Sequence, residues 1–155
     1  ISMVERYCGG IVPGGAAAEA TDLDTSDARD LAQYHAAMDG SRGYLLHEAL
    51  RHVWSTVSRG NEYVDRQAPW KLAKDPALRP ELERTLAALM RQLARHAIHL
   101  HPFLPAKTAE LWRQLGGPDI VAHQRFEMVA ALDVRGWRVT KGDGLFPKEI
   151  VSATT

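Results

Sequence analysis

Histidines are the residues here most able to do chemistry, and three of them, His96, His99 and His101, crowd one stretch. His96 and His99 stand three apart, a spacing that lets two imidazoles face one way on a helix. A metal would need more ligands than that. No cysteine lies near, and the closest acid downstream is Glu110. The stretch reads as half-exposed helix histidines. His47-Glu48 opens like a zinc-protease pattern, but Arg51 holds the i+4 position and His52 is one place too far round. Gly9-Gly10 and Gly14-Gly15 lack the lysine and the preceding strand of a phosphate-binding loop. Serine, histidine and aspartate all occur, yet no spacing resembles a nucleophile elbow. The expectation is no catalytic residue and no metal in this chain.

The elements that would hold any site are helices. Ile1 to Tyr7 reads as the last turns of a helix whose start lies upstream, so the chain is taken as a fragment. Gly9-Gly10 ends it, and a small-residue, acidic connector runs from Ala16 to Asp22. Thr25 or Ser26 can cap the next helix, which runs to about Met38. Leu46, Leu50, Val53 and Val57, with Leu45, Ala49 and Trp54 beside them, form an amphipathic stripe reaching about Asp65. Gln67-Ala68-Pro69-Trp70 breaks it, because proline disfavours helix in the residue before it. Leu82, Leu86, Leu89, Leu93, Ala97 and Leu100 make the best stripe, stopped by Pro102. A last helix runs from Leu104 or Pro105 to Leu115 before Gly116-Gly117-Pro118. The fold class is all-α, a bundle of four to five helices over residues 1–135, with its first helix truncated at the N-terminus. An irregular tail, residues 136–155, packs back on the bundle.

Charge narrows the function. The 19 basic and 19 acidic residues cancel, which disfavours general nucleic-acid binding by phosphate neutralisation. They are unevenly spread. Glu19, Asp22, Asp24, Asp27 and Asp30 crowd one segment, while Arg84, Arg91, Arg95, Lys107 and Arg113 crowd another. These read as two solvated helix faces, with a local basic face as the alternative. No apolar run approaches the roughly 20 residues needed to cross a bilayer. Cys8 is the single cysteine, so no internal disulfide can form, which fits a reducing compartment.

The stretch Asn61-Glu62-Tyr63-Val64-Asp65-Arg66-Gln67-Ala68-Pro69-Trp70-Lys71-Leu72-Ala73-Lys74 resembles the helix end and turn of methionyl-tRNA synthetases, with its N-x-Y-V/I-D-x-x-x-P-W-x-L-A-K pattern. Other segments agree in order. Ser2-Met3-Val4-Glu5-Arg6-Tyr7 with Val12-Pro13 is similar to the family's helix and G-x-x-P turn. His101-Pro102-Phe103-Leu104-Pro105 resembles its x-P-F-M/L-P break, and Glu110-Leu111-Trp112-Arg113-Gln114-Leu115-Gly116 its E-I/L-W-x-x-L-G. Leu145-Phe146-Pro147-Lys148 resembles its closing L-F-P-R/K. Only the connector from about Gly14 to Asp24 matches weakly.

That resemblance implies an anticodon-binding helix bundle reading the CAU anticodon of methionine tRNA. The parent would be a cytoplasmic methionine–tRNA ligase whose catalytic Rossmann domain supplies the ATP and methionine sites, leaving no cofactor site in these residues. It implies that Trp70 stacks on an anticodon base, with Pro69 beside it, a role worth roughly 1–3 kcal/mol per base. Asn61 could reach a base or cap the end of its helix, and the capping role is preferred. Arg91 and Arg95 could meet the anticodon-stem backbone or be solvated surface arginines. Trp54 and Trp112 read as core. The family's other polar readers, an Asn-x-x-x-Arg pair, fall just before the segment matched by Ile1-Ser2-Met3. Two other readings stand beside this one: a free-standing, non-enzymatic tRNA-binding or protein-interaction module of the same family, and a helical scaffold with a fortuitous turn.

Overall fold

The computed structural model describes residues 1–146; Pro147 and Lys148 of the closing motif, with the rest of the expected tail, lie outside the described residues. Six α-helices follow in order: α1 Ser2–Cys8, α2 Asp22–Met38, α3 Leu46–Gln67, α4 Pro69–Leu72, α5 Arg79–Leu100 and α6 Pro105–Leu115. Short 3-10 turns at Gly15–Ala18, Val121–His123 and Phe126–Ala131 fill the longer connections. Among the described residues no strand forms, and one antiparallel bridge joins Ile11 to Arg138. The all-α class is as expected. The extra helix is α4, a single turn where the sequence suggested only a break.

α5 is the axis of the molecule. Its leucine stripe is apolar enough to bury, and 15 of its 22 residues are buried, polar ones included. Leu82, Leu86, Ala87, Met90, Ala94, Ala97 and Ile98 join Val4, Val12, Leu111, Trp112 and Leu115 in the main core. A fully buried leucine of this kind contributes about 1.5–3 kcal/mol. Leu89 and Leu93 are only half-buried, because they line a groove between α5 and α3.

Two expectations need correction. α2 begins a turn earlier than Thr25: Thr21 is its N-cap, and a capping box closes as Asp24 accepts from the Thr21 backbone N–H at 2.8 Å. α3 buries a face turned partly away from the predicted stripe, keeping its Ala49 and Val53 but not Leu46 or Trp54. Its inner residues are Ala49, Val53, Thr56, Gly60 and Tyr63, whereas Leu46 and Trp54 are 50 % and 47 % exposed. Small residues on the inner face let α3 approach α5 closely. A Cβ on Gly60 would stand 2.1 Å from Oε1 of the buried Gln92, so any other residue would have to displace that side chain.

The tail returns to the bundle as far as it is described. Trp137 meets Trp112 edge to face at 5.1 Å, and the Thr140 N–H donates to the Gln114 carbonyl at 2.8 Å. Trp112 is 2 % exposed, as expected of a core residue, and its Nε1–H donates to the Pro118 carbonyl. No described helix is long and apolar enough to cross a membrane.

Candidate nucleic-acid interface

The corner after α3 follows from two residues. Proline cannot donate a helix hydrogen bond and its ring crowds the residue before it. Ala68 therefore leaves the helix, adopting the left-handed region at φ 45° and ψ 59°, while its N–H still donates to the Val64 carbonyl at 2.9 Å. Pro69 then occupies the first turn of α4, where its missing N–H costs nothing. Ala68 and Pro69 are buried, and Leu72 and Ala73 pack on the main core. With these pointing inward, Trp70 points out, 43 % exposed. An indole on a fixed corner is a flat platform of the kind that unstacked bases use.

Lys71 and Lys74 are exposed on the same segment. Sequence reading passed over them, although two lysines flanking an outward aromatic are the ordinary pairing of charge and stacking in single-strand binding. Arg66 is less available, since it pairs with Asp22 and lies over the Tyr63 ring at 5.3 Å.

Asn61 does not cap α3. The helix continues six residues beyond it to Gln67, about 9 Å of helical rise, and the Asn61 side chain is exposed with no hydrogen bond among the described residues. It lines the groove between α3 and α5 with Val57, Val64 and Leu93, a groove to which Trp70 does not contribute. Pro69 and Trp70 are thus brought together, and Asn61 stands apart.

Arg91 and Arg95 are neither solvated nor turned to a phosphate backbone. Their side chains are 7 % and 11 % exposed, and both pair with Asp24 at 2.8 Å. Arg91 also donates to the Ala18 and Glu19 carbonyls. Nearby, Arg59 bridges Asp27 at 2.7 Å and Asp30 at 2.5 Å, and Gln92 donates to Asp27 at 2.7 Å. The two segments are therefore solvated only in part: Glu19, Asp22, Arg84, Lys107 and Arg113 are exposed, while Asp24 meets Arg91 and Arg95 inside the bundle and Asp27 and Asp30 meet Arg59 of α3. Desolvation opposes ionisation of Asp24, but Arg91, the Thr21 N–H and Arg95 outweigh it and hold that carboxyl well below its usual range. Burial pushes Asp27 up despite its partners. A sequence signal existed in the i, i+3, i+6 spacing of the aspartates and the i, i+4 spacing of the arginines, but nothing in one strand of text says that the two helices touch.

The histidines are more buried than expected. His96 and His99 are sealed in the bundle, and burial lowers them to about 3 and about 4. The Thr56 hydroxyl gives its proton to the Val53 carbonyl, so it accepts from the His96 Nε2–H at 2.8 Å. His101 pairs with Thr108.

Three comparisons bear on this arrangement. A family model described as the anticodon binding domain of methionyl tRNA ligase matches residues 12–152. A methionine–tRNA ligase of Bacillus subtilis is 32 % identical over 151 residues, covering 96 % of this chain and 22 % of the relative. One of Enterococcus faecalis is 35 % identical over 119 residues, covering 75 % of this chain and 17 % of the relative. The chain thus spans about a fifth of the length of the curated relatives it matches. A crystal structure of apo Mycobacterium tuberculosis methionyl-tRNA synthetase superposes with a TM-score of 0.77 over 94 % of this chain and 29 % of that one; at 24 % identity it speaks to the fold alone.

Proposed function

Since the chain belongs to the family of methionyl-tRNA ligase anticodon-binding domains, we propose that it binds the anticodon loop of methionine tRNA through the Trp70 corner. The observation carrying this is the outward indole of Trp70 beside the buried ring of Pro69. A base stacked there would gain roughly 1–3 kcal/mol. Lys71 and Lys74 would meet the loop phosphates, and Asn61, exposed on α3, would offer a polar contact farther along the helix. Arg91 and Arg95 have no part in this reading, their side chains being buried beside Asp24. The CAU sequence as target, the parent methionine–tRNA ligase with its Rossmann domain, its use of ATP and methionine, and a cytoplasmic setting complete the proposal. The relatives' printed names and the family model support it.

The test titrates the chain with a CAU anticodon stem-loop and with a scrambled loop, following tryptophan fluorescence at two salt concentrations. Trp54 is exposed as well, so the measurement uses a Trp54→Phe background. The reading expects CAU-dependent quenching that is lost in Trp70→Ala and affinity that falls as salt rises. Equal responses to the two loops would overturn it.

A further inference from the structure

A second concave surface, remote in sequence from the Trp70 corner, lies between α2, α5 and the 3-10 turn Phe126–Ala131. It holds about 430 Å³, with apolar walls from Leu31, Phe126 and Val129 and a polar end at His35, His99 and Arg95. A hollow of about 330 Å³ adjoins it, and the two share Asp24 and Arg95. Cavities of roughly 300–1,000 Å³, mostly apolar with a few convergent polar groups, are the usual form of a small-molecule site.

The state of Arg95 says what such a molecule would carry. Among the described residues its guanidinium makes one hydrogen bond, from Nη1 to Oδ1 of Asp24 at 2.8 Å. A guanidinium has five N–H donors in a planar fork, suited to a carboxylate. Asp24 has no capacity to take more of them: it also accepts from the Thr21 N–H, the Thr21 hydroxyl, and Nε and Nη2 of Arg91. The three arginines and three aspartates of this network balance in charge, so what Arg95 offers a ligand where the two hollows meet is its unused N–H donors.

The imidazoles add no competing charge. His99 Nδ1–H donates to the Arg95 carbonyl, which leaves Nε2 to accept from His35 Nε2–H at 3.1 Å. Burial lowers the pKa of both rings, which favours their neutral forms, and they stand against Phe126 at 5.2 Å and 5.5 Å to make one aromatic wall.

We propose that this cavity binds a small carboxylate with a flat, apolar body, the carboxylate accepting from the unused donors of Arg95 and the body lying against Leu31, Phe126 and Val129. The site is independent of the tRNA reading.

Fluorine NMR titration of the 155-residue chain with para-fluorobenzoate and para-fluorobenzamide tests it. The carboxylate should bind saturably and about tenfold or more tighter than the amide, as a charge-assisted bidentate pair requires. Ala28→Trp, placed on the exposed rim of the cavity and outside the ion network, should abolish binding. Arg95→Met should erase the preference for the carboxylate; if that variant fails to fold, as judged by circular dichroism, Ala28→Trp decides. Trp70→Ala should bind like the parent chain, which separates this outcome from the fate of the anticodon reading. Absence of saturable binding, equal affinity for acid and amide, or binding untouched by Ala28→Trp would overturn the proposal.

Discussion

Three of the four tryptophans in this chain separate packing from display. Trp112 is enclosed, so Trp112→Ala should cost about 3–5 kcal/mol of stability through lost burial and the cavity left behind. Trp54 and Trp70 are each more than two-fifths exposed, so their alanine variants should unfold within about 1 kcal/mol of the parent in urea titration. Trp112, read as core, is enclosed in a helix that Pro105 starts, and Trp70 is displayed because Pro69 forces a corner. Trp54 had no such marker. Periodicity told that α3 was amphipathic, but the width of an apolar stripe does not reveal which edge faces inward. The small residues Ala49, Thr56 and Gly60 settled it by permitting close approach.

Between elements, the decisive contacts are polar and were nearly invisible beforehand. The α2–α5 contact turns on Asp24, whose replacement by asparagine would leave two inward guanidinium groups without a counter-charge. Asp24→Asn should therefore destabilise by about 3–5 kcal/mol, read as a shifted urea midpoint. The α3–α5 contact turns on Gly60. Gly60→Ala drives a methyl into the Gln92 side chain, which itself holds Asp27 and the Thr56 carbonyl, so a loss of about 1–3 kcal/mol is expected. Because both residues share one network, Gly60→Ala and Gln92→Ala should combine non-additively in a double-mutant cycle. Helix extents, by contrast, were legible to within a turn, since prolines and glycines punctuate them. Gly116 shows why: at φ 77°, with the Arg138 carbonyl 2.3 Å from where a Cβ would stand, no other residue ends α6 in the same way.

For the molecule as a whole, the sealed histidines set the response to acid. Each has a folded pKa below the ordinary value of 6.5, at about 3 for His96 and about 4 for His99. The unfolded chain then binds more protons between about pH 6.5 and pH 4, so stability is full above that window and falls as pH drops through it. For His99 the loss is on the order of 3 kcal/mol. Asp24 adds a further loss at lower pH, as its depressed carboxyl is protonated, while Asp27, raised by burial, works in the opposite direction. Melting temperature should decline from pH 7 to pH 5, before ordinary carboxylates titrate, and a His99→Gln variant should show a flatter profile. An unchanged melting temperature across that range would contradict the burial assigned to these rings.

α5 is sheathed on nearly every side, and that has a consequence in time. Its backbone amides can reach solvent only when α2, α3, α6 and the returning tail have all let go. In deuterium exchange the middle of α5 should be the last part of the chain to label, at a rate set by opening of the whole domain. The short α4 turn, anchored by a few side chains, should label early.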